Sequence, residues 1–120
     1  MTEILIISHS RDIAEGTKAL ISQMAKKTVV QASGGMDGGI GTSVDQINDM
    51  LRYVQEDTIC FYDIGSSKMN LEMAVEMYEG NHTLHISEAP IVEGSFLAAV
   101  ENSIGTEIHT IIDKLNEMKK

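Results

Sequence analysis

The sequence predicts an α/β fold: a mostly parallel central sheet of about four strands, flanked by helices on both faces. Three observations carry this. Short apolar runs alternate with longer stretches whose apolar residues recur at helical spacing, in the order βαβαβαβα. The first run, residues 3–8, reads as a buried strand. Neither linker, internal repeat nor low-complexity stretch interrupts the 120 residues, so positions 1–120 are expected to form one domain around one core.

The elements follow in order. The strand at 3–8 ends in Ser8-His9-Ser10 and turns at once into a helix over 11–26, with Ser10 as N-cap and Asp12 in its first turn. Ile13, Leu20, Ile21 and Met24 fit one face of that helix. Residues 28–32 form a second strand, followed by the glycine-rich SGGMDGGIGTS. Ser43 and Gln46 make a capping box for a second helix, whose apolar positions are Val44, Ile47, Leu51 and Val54. The third strand, 58–62, breaks at DIGSS, and a third helix carries Leu71, Ala74, Val75 and Tyr78 on one stripe. Met69, Met73 and Met77 recur beside that stripe and serve either the core or a partner surface. A weaker fourth strand, 82–86, ends at Ala89-Pro90, and 92–102 is helical. Past Gly105, Thr106 can cap a last helix with Ile108, Ile111, Ile112, Leu115 and Met118 on its apolar face.

Composition narrows the function. Nine Lys and Arg against eighteen Asp and Glu leave a net charge of −9. The cations are scattered; only Lys26-Lys27 and Lys119-Lys120 are adjacent pairs, each near a helix carboxyl end, where positive charge suits the dipole. Binding a phosphate backbone needs clustered cations, which excludes nucleic acid as a partner. An acidic surface is compatible with a protein partner that presents a basic patch. No apolar stretch approaches the roughly 20 residues that span a bilayer. The amino terminus lacks the basic region of a secretory signal, so a cytoplasmic chain without membrane insertion is expected. Cys60 lies inside an apolar run and reads as a buried thiol; a nucleophilic cysteine wants a cationic, partly exposed setting.

In an open parallel sheet, ligands bind outside the carboxyl ends of the strands, near the point where strand order reverses. Three polar segments leave strands there: Ser8-His9-Ser10, residues 33–43, and Asp63-Ile64-Gly65-Ser66-Ser67. Two of them end in a helix N-cap, so N–H groups and positive dipole ends converge on one edge, a setting for an anion such as a phosphoryl group. Neutral imidazole is a good nucleophile near pH 7. Asp63 can accept a hydrogen bond from one nitrogen of His9, fix its tautomer and leave the other nitrogen free to attack. Gly65 allows close backbone approach, and Thr42, Ser66 and Ser67 add hydroxyl donors. Nothing in this set requires a metal.

Each piece also has an ordinary reading, His9 as a loop residue and the Asp63 turn as a helix start. GGIGTS lacks the lysine of a P-loop and the glycine spacing of a dinucleotide fingerprint. His82 and His85, three apart on a strand, point to opposite faces and make a poor metal pair; His109 lies beside apolar positions of the last helix. A receiver-type phosphoacceptor would use Asp63 but needs an acidic pair where Ser8-His9 stand. A non-catalytic module could hold a small phosphorylated ligand at the same edge. A serine hydrolase lacks its G-x-S-x-G elbow.

Four motifs in register, IISHS, GIGTS, DIGSS and EAPIVEGS, span nearly the whole chain. Together they resemble the phosphotransfer subunit of the bacterial dihydroxyacetone kinase, a relative of the mannose-type enzyme IIA domains of the sugar phosphotransferase system (PTS). The resemblance implies a mannose-type enzyme IIA-like fold and a usual homodimer. It implies that His9 is transiently phosphorylated by phospho-HPr, itself charged by enzyme I from phosphoenolpyruvate. His9 would pass the group to ADP held on the nucleotide-binding kinase subunit, supporting dihydroxyacetone phosphorylation on a third subunit. Asp63 matches the carboxylate beside that histidine, and Gly41, Thr42, Gly65, Ser66 and Ser67 match the loops around the phosphoryl group. No cofactor belongs to the chain itself, since the ADP is the partner's. Some relatives carry fused HPr-like and enzyme-I-like domains; this chain is expected to take HPr from outside. Mannose-type relatives hand phosphate to a sugar-transport IIB subunit instead, and EAPIVEGS favours the kinase branch.

Overall fold

Four of the apolar runs pair side by side, every pair parallel. In the computed structural model, which describes residues 1–118, β1 (Thr2–Ser8) lies between β2 (Val30–Gly34) and β3 (Asp57–Tyr62). The short β4 (Leu84–Ile86) adds outside β3, giving the order β2-β1-β3-β4. Helices α1 (Arg11–Met24), α2 (Val44–Leu51), α3 (Gly65–Met77), α4 (Ile91–Ser103) and α5 (Ile108–Asn116) complete the chain. Lys119 and Lys120 lie outside the described residues.

Alternation along the strands sorts the core into two layers. Ile4, Ile6, Ile59 and Phe61 pack with Ala14 and Ile21 of α1, Ala98 and Ala99 of α4, and Ile111 and Leu115 of α5. Leu5, Ile7 and Cys60 pack on the other side with Ile47 and Leu51 of α2 and Leu71 and Ala74 of α3. All seven residues of β1 are buried, as in a strand covered on both faces. Cys60 is fully enclosed, and burial pushes its thiol up to about 12. Among the described residues no helix is long and apolar enough to cross a membrane.

Several local expectations are corrected. The buried face of α1 is Ala14, Thr17 and Ile21, while Ile13, Leu20 and Met24 are 47%, 47% and 60% exposed. Small residues let the helix lie close to the sheet, and Thr17 is tolerated because its hydroxyl donates to the Ile13 carbonyl at 2.7 Å. The second strand runs two residues later than 28–32. Thr28 is held back by a buried network: its hydroxyl donates to the Ala99 carbonyl (2.8 Å) and accepts from Asn102 (3.0 Å), whose Oδ1 accepts from the Thr2 N–H (2.7 Å). The strand then continues into Gly34, where a Cβ would stand 2.5 Å from the Ser10 carbonyl oxygen.

Ser43 caps α2 as expected, accepting from the Gln46 N–H, but the Gln46 side chain accepts from Ser33 instead of closing the capping box. His82 precedes β4, so it and His85 do not share a strand. Thr106 does not cap α5; its hydroxyl donates to Glu101 at 2.8 Å, and Glu107 stands at the N-cap. Met69, Met73 and Met77 are 65%, 52% and 60% exposed, which removes them from the core.

Candidate functional site

Strand order reverses between β1 and β3. From β1 the chain passes through α1 to β2 on one side, and from β3 through α3 to β4 on the other. The crevice above these two strands is where an open parallel sheet accepts a ligand. The register that sets Ile7 against Tyr62 carries Ser8 and His9 up to Asp63.

Asp63 is the hub. Its Oδ2 accepts from the Ser8 hydroxyl (2.6 Å) and the His9 N–H (3.1 Å). Its Oδ1 lies 3.1 Å from His9 Nδ1 and accepts from the Ile64 N–H (2.8 Å) and the Ser67 hydroxyl (3.0 Å). Burial pushes the carboxyl upward, but the bonds from Ser8, His9 and Ile64 outweigh it and hold Asp63 well below the usual carboxylate range. An ionised Asp63 can only accept, so the nitrogen facing it is the protonated one. In the neutral ring the Nδ1–H donates, and Nε2 offers its lone pair to the hydroxyl of Ser66. The His9 side chain is 13% exposed, sheltered yet reachable.

Local sequence explains each position. Ser10 caps α1 by accepting from the Ile13 N–H, which ends β1 abruptly at His9. Helix α3 starts without a side-chain cap, leaving the amino end at Gly65 and Ser66 suited to an anion. The glycine-rich segment folds back through a tight turn in which Met36 and Gly39 exchange both backbone hydrogen bonds. Asp37 (φ 50°) and Gly38 (φ 81°) form its tip, the Asp-Gly pairing that such a turn favours. The segment then crosses back to the site: the Gly41 N–H donates to the His9 carbonyl at 2.7 Å. Gly41 holds φ 144°, with Met36 packed where a Cβ would be.

Of the residues expected around a phosphoryl group, Ser66 touches His9, Gly65 begins the adjoining helix, and Thr42 follows the clamp at Gly41. Two others act differently. Ser67 is fully buried beneath Asp63, its hydroxyl engaged by Asp63 and the Ile64 carbonyl, so it supports the carboxylate. The Gly41 N–H is engaged by His9 and pins the loop rather than facing a ligand. Sequence reasoning missed Ser8, whose hydroxyl also accepts from the Ser10 N–H (3.0 Å). It also missed Asn70, which donates to Thr42; its position one turn after Ser66 on α3 was the available signal. Lys68, the lysine nearest in sequence, is held by Glu88 at 2.6 Å. Among the described residues no group of three or more His, Cys, Asp and Glu is placed to hold a metal. A groove of about 630 Å³ between the ends of α2 and α3 contains neither His9 nor Asp63.

Comparison with known proteins gives a consistent result. The family model EIIA-man, described as PTS system fructose IIA component, matches residues 3–112. The phosphotransferase subunit DhaM of the PTS-dependent dihydroxyacetone kinase of Lactococcus lactis subsp. lactis is 36% identical over 96% of this chain and 94% of its own. In Listeria innocua the phosphoryl donor subunit DhaM of PEP-dependent dihydroxyacetone kinase 1 is 39% identical over 82% of this chain and 79% of its own. The corresponding subunit of kinase 2 is 34% identical over 98% and 99%. Among solved structures, unknown function protein EF1359 superposes with a TM-score of 0.88 at 30% identity, covering 99% of this chain and 95% of that one. The phosphotransferase system component EIIA of Streptococcus agalactiae gives 0.69 at 15% identity, covering 98% and 92%, a likeness of fold.

Proposed function

The chain belongs to the EIIA-man family of PTS IIA components, and on that premise we propose that it is the phosphoryl donor subunit of a dihydroxyacetone kinase. It accepts a phosphoryl group on His9 from phospho-HPr and passes it to ADP bound on the nucleotide-binding subunit. The observation that carries this is the pairing of His9 Nδ1 with Asp63 at the sheet's switch point, which leaves Nε2 as a directed lone pair.

The chemistry balances without a co-reactant. The Nε2 lone pair attacks phosphorus, a new N–P bond forms, and the donor's N–P bond breaks with its electron pair returning to the donor imidazole. Nδ1 keeps its proton throughout, and Asp63 stabilises the charge that develops on the ring. In the second transfer an oxygen of the ADP β-phosphate attacks, the bond to Nε2 breaks, and the pair returns to the ring. Both steps are in-line displacements, so the protein's part is to position donor and acceptor and to stabilise spread negative charge. The Ser66 and Thr42 hydroxyls and the amino end of α3 at Gly65 supply that stabilisation. The chain acts as one domain, as a homodimer, in the cytoplasm and with no cofactor of its own. The kinase branch is supported by the three relatives above; the description of the family model as a fructose IIA component supports a second reading, hand-off to a sugar-transport IIB subunit.

Intact mass after mixing with phosphoenolpyruvate, enzyme I and HPr tests the relay, with His9→Gln in parallel. One acid-labile, base-stable phosphoryl group, absent from the variant, is expected. A base-labile adduct that survives in the variant would move the site to Asp63, and no adduct would leave a non-catalytic binding module. Discharge of the adduct to ADP on the nucleotide-binding subunit, and not to a IIB subunit, is the expected second result. Sedimentation tests the dimer.

A further inference from the structure

Helix α3 presents Ser66 and Asn70 one turn apart, on one face. Ser66 meets His9 Nε2, while the Asn70 amide nitrogen meets Thr42, 2.5 Å from its Oγ1 and 3.4 Å from its carbonyl oxygen. The orientation of the amide follows from its surroundings. The Thr42 carbonyl can only accept, so the –NH2 side of Asn70 must face it. The same –NH2 then donates to the Thr42 hydroxyl, whose oxygen becomes an acceptor there and whose proton is directed elsewhere. The preceding residue, Gly41, is tied to the His9 carbonyl, so the loop is fastened at two successive residues.

We infer that Asn70 is a positioning residue, one that fixes Thr42 as a hydrogen-bond donor to the phosphoryl oxygens on His9. This rests on the relay reading above and names a device within it. A hydroxyl that accepts one hydrogen bond donates a stronger one, so the contact from Asn70 also strengthens the Thr42 donor. Lys68, on the same helix, is paired with Glu88. Asn70 contacts the loop and not the phosphorus, and its effect passes through Thr42.

The test is a double-mutant cycle of Asn70→Ala and Asn70→Asp, each with and without Thr42→Val, reading the rate of His9 phosphorylation by phospho-HPr. Asn70→Asp is close to isosteric but replaces the donor by an acceptor, which draws the Thr42 proton away from the site and adds negative charge. Loss of one preorganised donor predicts a fall of about 10-fold for Asn70→Ala and about 100-fold for Asn70→Asp. In the Thr42→Val background the fall for Asn70→Ala is expected to shrink to about threefold or less, and that for Asn70→Asp to shrink to the part caused by its added charge. Melting temperatures establish that each variant is folded, and Asn70→Gln, which keeps the donor, is expected to recover part of the rate. Undiminished effects of Asn70 in the Thr42→Val background, or an Asn70→Asp variant as fast as the unaltered chain, would overturn the inference alone. An unaltered chain that takes up no phosphoryl group would overturn the relay reading, and this inference with it.

Discussion

Replacing Asp63 by Asn tests the site most directly. Asp63 serves five donors: the Ser8 and Ser67 hydroxyls, the N–H groups of His9 and Ile64, and His9 Nδ1. An asparagine offers one oxygen and one –NH2. If its oxygen takes the place facing Ser8 and the His9 N–H, the –NH2 stands against Nδ1–H and the Ile64 N–H, donor against donor. Flipped, it stands against the His9 N–H, which cannot rotate away. At least one fixed donor loses its acceptor in either orientation. A hydrogen bond to a charged group contributes roughly 1.5–3 kcal/mol, and access of water to this edge offsets part of that. A loss of about 2 kcal/mol in unfolding free energy is expected. The chemical effect is larger. With the amide –NH2 opposite Nδ1, the favoured tautomer carries its proton on Nε2 and the attacking lone pair is gone; in the flipped orientation the oxygen still takes Nδ1–H, but the negative charge that stabilises the charge developing on the ring is lost. Phosphoryl uptake should fall about 10³–10⁴-fold, the scale seen when a histidine is held in the wrong tautomer. Rapid-quench uptake from phospho-HPr at neutral pH measures it, with urea unfolding of the same sample. A folded Asp63→Asn variant within threefold of the unaltered rate would refute the reasoning.

Four further outcomes are expected. The Asp63 carboxyl is depressed in the folded state, so its contribution to stability is complete above its unfolded value of about 3.9 and is lost as pH falls through the lower folded value; urea unfolding between about pH 5 and pH 2 should show the unaltered chain losing stability more steeply than Asp63→Asn, and parallel profiles would contradict this. Asn102→Leu orphans the buried Thr2 N–H and should cost about 2–3 kcal/mol, read as a lowered melting temperature with little change in uptake rate. Gly34→Ala forces a Cβ onto the Ser10 and Ser8 backbone oxygens, at 2.5 and 2.9 Å; about 2–3 kcal/mol of destabilisation and slowed uptake should appear together, because the clash displaces the backbone on either side of His9. Cys60, buried and with its thiol pushed up to about 12, should resist thiol reagents in the native chain and react at least about 100-fold faster in urea.

The readable parts of the fold were those where one signal dominated. The apolar runs of β1 and β3 and the strong periodicity of α2 and α5 specify buried strands and one-sided helices, and the structure agrees. Helix α1 was misread because residue size decided its packing: Ala14 and Thr17 face the sheet, while the larger Ile13, Leu20 and Met24 face outward. The start of β2 was misread because Thr28 answers to Asn102, seventy-four positions away.

His9, Asp63 and Ser66 could be named in advance because strand ends followed by helix starts are local features, and the switch-point rule gathers such ends at one edge. What the chain alone determined was which residue types would stand at that edge and that helices would cover both faces of the sheet. The tertiary structure decided what those residues do there. It set Nδ1 rather than Nε2 against Asp63, engaged Ser67 and Gly41 as supports, and brought in Ser8 and Asn70. The reason is physical: a hydroxyl or an N–H can satisfy few partners at once, and which partner it takes depends on distances between segments that lie far apart along the chain.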